Sequence, residues 1–354
     1  MKTQVGIATA NRSINAFFIS KVDAVLYFTT LFAIVVMLIV SGCSETKQIQ
    51  AGANSDSNAS WYTQCGWIAE NYFTDLKVIA LCRVIEDNDL KEIDRLVAAG
   101  ADVNAKGKGN MTPLLWAFPD NRIERFKKLL EHGADPNVIV ETDFNSKGTI
   151  HPGHSVAHLA AGTKFPTYFE QVMKHGGDPE LVDPHNGNAV LHVVVRAIIS
   201  KPEKKKRIQL LLKREVELNC FNNADVTPAM DAVSWFGQYD IALMLLEAGA
   251  NPGIYQSKGN QKLVHFVAAE RGRVQRTTSA QQKADYGAIV QRLEDHGDSI
   301  EEARKDVDRW MEWGKVYPIA KASKLMAEER AERIAREKAE AEKTNGNSRK
   351  NSDK

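Results

Sequence analysis

The chain has 354 residues, 43% of them hydrophobic, which is enough for a sizeable core. Its formal net charge of +1 argues against a general nucleic-acid binder, because such proteins carry a clustered positive field. The cysteines form no C-x-x-C pair, so they predict neither a disulfide scaffold, a zinc ribbon nor a redox motif.

The first predicted element is an uncharged apolar run over residues 24–40. Lys2, Arg12 and Lys21 precede it, and small residues follow it. The run is shorter than the roughly twenty residues that a spanning helix usually needs. A positive segment, an apolar run and a small-residue exit are typical of a secretory signal.

The exit of this run, Val40-Ser41-Gly42-Cys43, resembles the lipobox of bacterial lipoproteins. The resemblance implies a signal peptide over residues 1–42, cleavage before Cys43, and a lipid attached to that cysteine. Ser44 then implies export to the outer membrane. An uncleaved signal anchor is the alternative. Both interpretations place the rest of the chain on the periplasmic side of the inner membrane.

Residues 44–60 are polar, small and aperiodic, which predicts a flexible tether. We assign residues 43–70 to the lipidated cysteine and this tether. A tether of this kind would let a folded domain stand away from the membrane.

Related motifs then recur along the chain. Gly100 and Gly133 lie 33 residues apart in "AAGADVNA" and "EHGADPNV", and looser copies follow at 174–181 and 247–254. "MTPLLWAF" at 111–118 carries the companion Thr-Pro motif. The motifs resemble those of ankyrin repeats. The resemblance implies an all-α ankyrin-repeat solenoid, with helix-turn-helix repeats and β-turn fingers, and we assign about six repeats to residues 71–300.

Elementary rules of helix formation agree with this assignment. Thr before Pro starts a helix, and Gly ends one in a left-handed cap. Apolar residues spaced by three and four make one buried face. One helix pair cannot bury that face alone, so at least three repeats must stack. The fourth repeat has Glu215 where the others have glycine.

Long inserted loops are predicted at three places. Residues 139–150 extend a finger, and residues 199–207 and 271–285 lie between the helices of their repeats. Loops on a rigid array often carry recognition. The basic stretch "KPEKKKR" at 201–207 suits phospholipid headgroups or an acidic partner, or is simply a solvated loop.

The C-terminal region is predicted to be helical and charged. Trp310, Trp313 and Tyr317 share one helix face in residues 301–323, which we assign as a cap on the stack, with a binding patch as the alternative. Residues 324–354 are assigned to a charged helix and a disordered tail. Glu329 and Arg333 form one of its helix-supporting pairs.

Candidates for chemistry are few. His151, His154 and His158 have spacing that zinc ligands use, but His158 occupies the structural histidine position implied by the ankyrin resemblance. His192 and His265 occupy the same position. We find no nucleophile elbow, P-loop or dinucleotide motif. The sequence therefore predicts no enzyme activity, metal, cofactor or small-molecule substrate. Cys65 and Cys82 either pair or leave Cys82 as a buried thiol.

Six residues are predicted to contact a partner, because ankyrin arrays bind through their inner helices and fingers. Aromatic side chains supply most of the energy at protein interfaces. The inner helices contribute Trp116, Asp231 and Trp235, and the fingers contribute Phe144, His185 and Tyr255. The alternative for each tryptophan is packing between repeats.

The combined expectation is a protein-binding lipoprotein of the bacterial cell envelope that faces the periplasm. Two more specific hypotheses stay open. Exported ankyrin proteins of bacteria resemble immunity partners of type VI secretion effectors, some of which are phospholipases. An envelope scaffold with several weaker partners is the other hypothesis. The third hypothesis is an enzyme that uses the histidine trio.

Overall fold

The protein was analysed as a computed structural model that describes Tyr62 and residues 66–144, 150–235, 237–257, 259–277 and 279–352. The apolar run 24–40, the lipobox-like residues 40–43 and Cys65 lie outside these ranges, and the interpretations that depend on them stay predictions. None of the helices in the described ranges is long and apolar enough to cross a bilayer.

Six helix pairs fill the described part of the first compact unit, residues 57–307. In each pair we call the first helix inner and the second outer. The pairs are α1 (Leu76–Asp87) with α2 (Leu90–Ala98), α3 (Pro113–Trp116) with α4 (Ile123–Glu131), α5 (Val156–Gly162) with α6 (Pro166–Lys174), α7 (Val190–Arg196) with α8 (Lys201–Leu212), α9 (Pro228–Ser234) with α10 (Tyr239–Glu247), and α11 (Leu263–Ala269), followed by the short α12 (Arg271–Arg276), with α13 (Ala280–Asp295).

The pairs stack side by side in chain order. Each inner helix contacts its own outer helix, and α5, α7, α9 and α11 contact one another in sequence. Outer helices likewise pack on outer helices, as α2 does on α4 and α4 on α6. One continuous apolar cluster runs between the two layers. This is the stacked burial that the repeat motifs predict.

Predicted caps begin the inner helices. The Thr112 hydroxyl accepts a hydrogen bond from the backbone N–H of Leu115 at 3.1 Å, and Pro113 follows it as the first helical residue. Ser155 and Thr227 cap α5 and α9 in the same way. Each cap satisfies a backbone donor that the helix leaves unpaired.

The outer helices end as predicted. Gly100, Gly133 and Gly249 follow them with φ of 91°, 81° and 105°, in the left-handed region that glycine enters freely. Glu215 occupies this place after α8 with φ of 57°. The left-handed turn therefore forms in the fourth repeat without the glycine that favours it.

Hydrogen bonds join each finger to the next. The Asn104 amide donates to the carbonyl of Gly133 at 2.9 Å, and its oxygen accepts from the N–H of Asp135. Asn137 repeats this pair of bonds one finger later. His192 Nε2 lies 3.1 Å from the carbonyl of Val226 in the following finger. Helix pairs, caps and fingers together confirm the all-α ankyrin-repeat solenoid.

The basic stretch 201–207 is a helix, not a loop. It forms the first turns of α8, which begins at Lys201. Lys201 and Lys205 lie 3.3 and 3.0 Å from the carboxylate of Asp240. The buried Lys204 donates to the carbonyl of Val195 at 2.7 Å. The expectation of an inserted loop was wrong here, because the lysines pair with Asp240 on α10 of the next repeat and so pack as part of the outer helix.

The second unit contains the described residues from 308 onward. Its helices are the later part of α14 (Ile300–Val316) and α15 (Ile319–Ser352). The indole N–H of Trp310 donates to Glu329 at 2.8 Å, and Glu329 pairs with Arg333 at 3.1 Å as predicted. The helix continues into the segment expected to be disordered, since an existing helix adds one hydrogen bond with each residue. The capping role of residues 301–323 stays a prediction.

Candidate protein-binding surface

The six residues predicted to contact a partner have very different surroundings. Trp116, Phe144 and Asp231 are buried. Trp235 keeps 47% of its surface exposed. His185 is exposed and Tyr255 is half-buried. The six residues therefore do not line one open surface, for reasons that differ along the array, and their contact with a partner stays a prediction.

An N-terminal strap, which we define as Tyr62 and residues 67–73, covers Trp116. The Tyr62 ring stacks on the Trp116 ring with centroids 5.5 Å apart. The Trp67 ring lies 5.1 Å from the same indole. The Trp67 N–H donates to the carbonyl of Phe144 at 2.6 Å, and the Tyr72 ring meets the Phe144 ring edge-on. The chain itself thus occupies the surface around both aromatics.

Hydrogen bonds also hold the strap on the array. The Tyr62 hydroxyl donates to the carbonyl of Trp116 at 2.8 Å and accepts from the guanidinium of Arg125 at 2.6 Å. Arg125 is fully buried and also donates to the carbonyl of Ile85 at 3.0 Å. Burial raises the pKa of the Tyr62 hydroxyl far above its ordinary value.

The strap also corrects the predicted boundary of the tether. The tether was expected to extend to residue 70, but Trp67 and Ala69 are buried. The missed signal is compositional, because residues 61–73, "WYTQCGWIAENYF", are dense in Trp, Tyr and Phe, which disordered segments lack. A polar tether is followed here by a segment with enough apolar surface to fold onto the array.

Between α7 and α9 on the inner-helix surface, three side chains form a layered group. The carboxylate of Asp231, on α9, accepts two hydrogen bonds from the guanidinium of Arg196, at 2.5 and 3.1 Å. The same guanidinium lies over the indole of Trp235, 5.5 Å from the centroid. Asp231 is buried beneath it, so it positions Arg196 and does not face solvent.

The local backbone explains why Trp235 projects outward. Helix α9 ends at Ser234, and Trp235 is extended, with φ of −100° and ψ of 95°. The Gln238 side-chain amide donates to the carbonyls of Trp235 and Val195, at 3.0 and 3.1 Å. Gln238 therefore connects the loop after α9 to the end of α7 in the preceding repeat.

Ile198 is the functional candidate that sequence reasoning missed. It lies in the short loop between α7 and α8 and is 87% exposed. Its loop corresponds to the loop that carries Trp235 one repeat later. We call Arg196, Ile198 and Trp235 the Trp235 patch. Only the length of the loop "RAIISK" could have indicated that an isoleucine projects here.

Two hollows flank Ile198. One of about 440 Å³ is lined by residues that include Ile198, Lys201, Lys204, Gln238 and Asp285. The other, of about 400 Å³, is lined by Lys164, Pro166, Ile198, Ile199, Ser200 and Glu203. Both are open at the surface, and both are of a size that ligand groups occupy in proteins.

The finger residues do not join the patch. The backbone N–H of His185 donates to Asp183 at 2.8 Å, and its carbonyl accepts from Asn223 at 2.7 Å. The Lys262 ammonium lies 5.4 Å from the centroid of the Tyr255 ring. His185 is therefore tied to its own finger and to Asn223 of the next one, and Tyr255 packs with Lys262 at the start of α11.

The histidine trio has local partners. His158 is buried, and its Nδ1 lies 2.9 Å from the Ser155 hydroxyl. His151 pairs with Asp143 at 2.9 Å. Burial lowers the pKa of His154 and His158, which favours their neutral forms. In the part of the chain that the structure describes, no three His, Cys, Asp or Glu side chains are placed to hold a metal ion.

Comparison with known proteins gives a limited result. No protein-family model matches the chain. Among solved structures, the chain is similar to the crystal structure of the ankyrin repeat domain of Bcl-3, a member of the IkappaB protein family. The two are 23% identical, the match covers 54% of this chain and 80% of the other, and the TM-score is 0.43. The ankyrin-repeat fold described here rests on the helix pairs, caps and finger bonds.

Proposed function

We propose that this chain is a non-enzymatic protein-binding module that recognises its partner through the Trp235 patch. Ankyrin-repeat folds typically serve protein-protein binding, and fold alone names no partner. The observation that carries the proposal is the half-exposed Trp235 indole, which lies against the Arg196 guanidinium.

Preorganisation supports this choice of surface. The buried Asp231 holds Arg196, which in turn packs on Trp235, so little side-chain freedom remains to be lost on binding. Trp and Arg are also the residue types that most often dominate interface energetics. Trp116, by contrast, is already covered by the strap.

We also propose that the module works at the bacterial cell envelope, held there by a lipid on Cys43 and facing the periplasm. The support is the order of elements in the sequence: a basic start, the apolar run 24–40, and the lipobox-like residues before Cys43. Mass spectrometry of the mature N-terminus tests this part independently. A mature chain that begins at a lipid-modified Cys43 is expected, and a chain that begins at Met1 without lipid would overturn it.

Quantitative affinity capture tests the binding function. The full-length protein, extracted from envelopes in mild detergent, is compared with Trp235→Ala and with Leu76→Ala as a matched control. Leu76 is 81% exposed and belongs to α1, away from the patch. We expect one dominant partner that Trp235→Ala loses and Leu76→Ala retains.

Two other outcomes would redirect the proposal. Capture of several weak partners that is unaffected by Trp235→Ala would favour an envelope scaffold and would contradict binding through the Trp235 patch. A secreted toxin as the dominant partner would favour the immunity hypothesis, and its activity in the presence of excess protein would then decide between inhibition and mere contact.

A further inference from the structure

We infer that the surface around Ile198 binds an acidic protein segment that carries a bulky apolar side chain. This inference rests on the proposed protein-binding function and specifies the chemistry of the partner. The apolar requirement comes from Ile198 and its two hollows, and the acidic requirement comes from the charges around them.

The apolar part follows from exposure and shape. Because Ile198 is 87% exposed, its side chain contributes almost no hydrophobic stabilisation to the fold. The hollows on its two sides measure about 440 and 400 Å³ and share Ile198 and Ile199 as their common wall. A partner side chain in either hollow would cover Ile198 and remove apolar surface from water.

The charges around the hollows are unequal. Glu203 is already paired with the buried guanidinium of Arg207 at 2.7 Å, and Asp240 is shared between Lys201 and Lys205. Asp285 lies 3.9 Å from Lys201. The residues that line the two hollows include three cations, Lys164, Lys201 and Lys204, and two carboxylates, Glu203 and Asp285.

Three features add positive potential at the hollows. Lys164 is exposed at the rim, with its ammonium 5.3 Å from the centroid of the Phe165 ring. The buried ammonium of Lys204 lines the larger hollow and donates to Val195 and Gln238. The hollow that Ser200 lines is also at the start of α8, whose dipole adds positive potential there. Partner carboxylates are the complementary groups.

A lipid surface fits these observations less well. The lysines at 201–206 are engaged within the protein, because Lys201 and Lys205 contact Asp240 and Lys206 contacts Glu170. Lys204 is buried. Binding to anionic headgroups draws on exposed clusters of several unpaired cations. The charge surplus here is small and local, as suits one or two carboxylates beside an apolar side chain.

Selection from displayed random peptides tests this inference even though the partner is unidentified. Twelve-residue peptides are selected on the immobilised full-length protein and counter-selected on Ile198→Asp. We expect the enriched peptides to carry one bulky apolar residue within two positions of at least two acidic residues. The loop position of Ile198 and its exposure mean that this substitution should leave the fold intact.

Synthetic copies of the enriched peptides are then used to measure binding affinities. An enriched acidic peptide should lose at least tenfold in affinity on Ile198→Asp and none on the matched control Leu76→Asp. Exchanging its acidic residues for Asn and Gln should weaken binding about three- to tenfold, and added salt should act in the same direction.

Each contrary result has a definite meaning. Enriched peptides that are basic or uncharged, or that bind Ile198→Asp equally well, would overturn the inference. Ile198-dependent binding to vesicles that contain phosphatidylglycerol, without peptide enrichment, would also overturn it in favour of a membrane surface. If affinity capture still finds a partner that depends on Trp235, the proposed function survives the failure of this inference.

Discussion

The second and fifth repeats of the array place the same kind of residue in opposite surroundings. Trp116 on α3 is fully buried beneath the rings of Tyr62 and Trp67, whereas Trp235 after α9 remains 47% exposed. Trp116 is the last residue of a Thr-Pro-started inner helix, and Trp235 directly follows another one in the same array. The difference shows that the repeat motif sets the position of a side chain on its own repeat. A segment outside the motif, here the strap, then decides whether that side chain is exposed to solvent.

The largest expected effect tests whether the strap is part of the fold. Trp67→Ala should lower the free energy of unfolding by about 3–5 kcal/mol, because it empties a buried aromatic site. Trp235→Ala should lower it by about 1 kcal/mol or less, since its ring is half in water. Urea unfolding followed by circular dichroism measures both. Similar losses of stability in the two variants would contradict the proposed difference between the buried Trp116 region and the exposed Trp235 region.

The second test concerns how Arg196 is held in the Trp235 patch. Arg196→Met leaves the buried carboxylate of Asp231 without its partner and should cost about 2–3 kcal/mol, less than a fully buried pair because Arg196 is 29% exposed. Combining it with Asp231→Leu should recover at least half of that loss, since no charge then remains buried. A double variant as unstable as the single one would show that Asp231 is stabilised by other groups.

Acid should weaken the repeats through their buried histidines. Burial lowers the folded-state pKa of His158 and His192 below the ordinary value of 6.5. Above pH 6.5 both states hold these rings neutral. Below pH 6.5 the unfolded chain binds protons before the folded protein does. The free energy of unfolding therefore decreases as the pH is lowered, by up to about 1.4 kcal/mol per pH unit for each ring.

His192→Gln isolates the contribution of α7 to the acid sensitivity of the protein. Glutamine keeps a donor near the carbonyl of Val226 but cannot titrate. The variant should show a shallower loss of stability between pH 6.5 and 5 than the parent protein. An unchanged slope would assign the acid sensitivity to the other titrating groups.

The smallest expected effect compares helix ends instead of side-chain contacts. Glu215→Gly should stabilise the protein by about 0.5–1 kcal/mol, because φ of 57° strains a residue with a Cβ. Gly249→Ala should destabilise it by about 1 kcal/mol at the equivalent position, where φ is 105° and no atom lies within 4 Å of the added methyl group. Thermal denaturation of the two variants should shift in opposite directions.

Much of the fold was predictable because its determinants are local. Thr112 and Thr227 cap helices whatever the neighbours are, and Gly100 or Gly133 ends them by backbone geometry. The patch was only partly predictable. Trp235 was identified, but Arg196 and Ile198 were not, since their importance depends on the packing of α7 against α9.

The sequence alone determined the repeat period, the helix pairs and the order of the array, because a cap, an apolar stripe and a left-handed turn each act within a few residues. Only the tertiary structure decided which aromatic residues face solvent. Trp116 is separated from Tyr62 by 54 residues, and no local pattern records that the two rings stack. Exposure depends on what packs over a residue, and such contacts join parts of the chain that are distant in sequence.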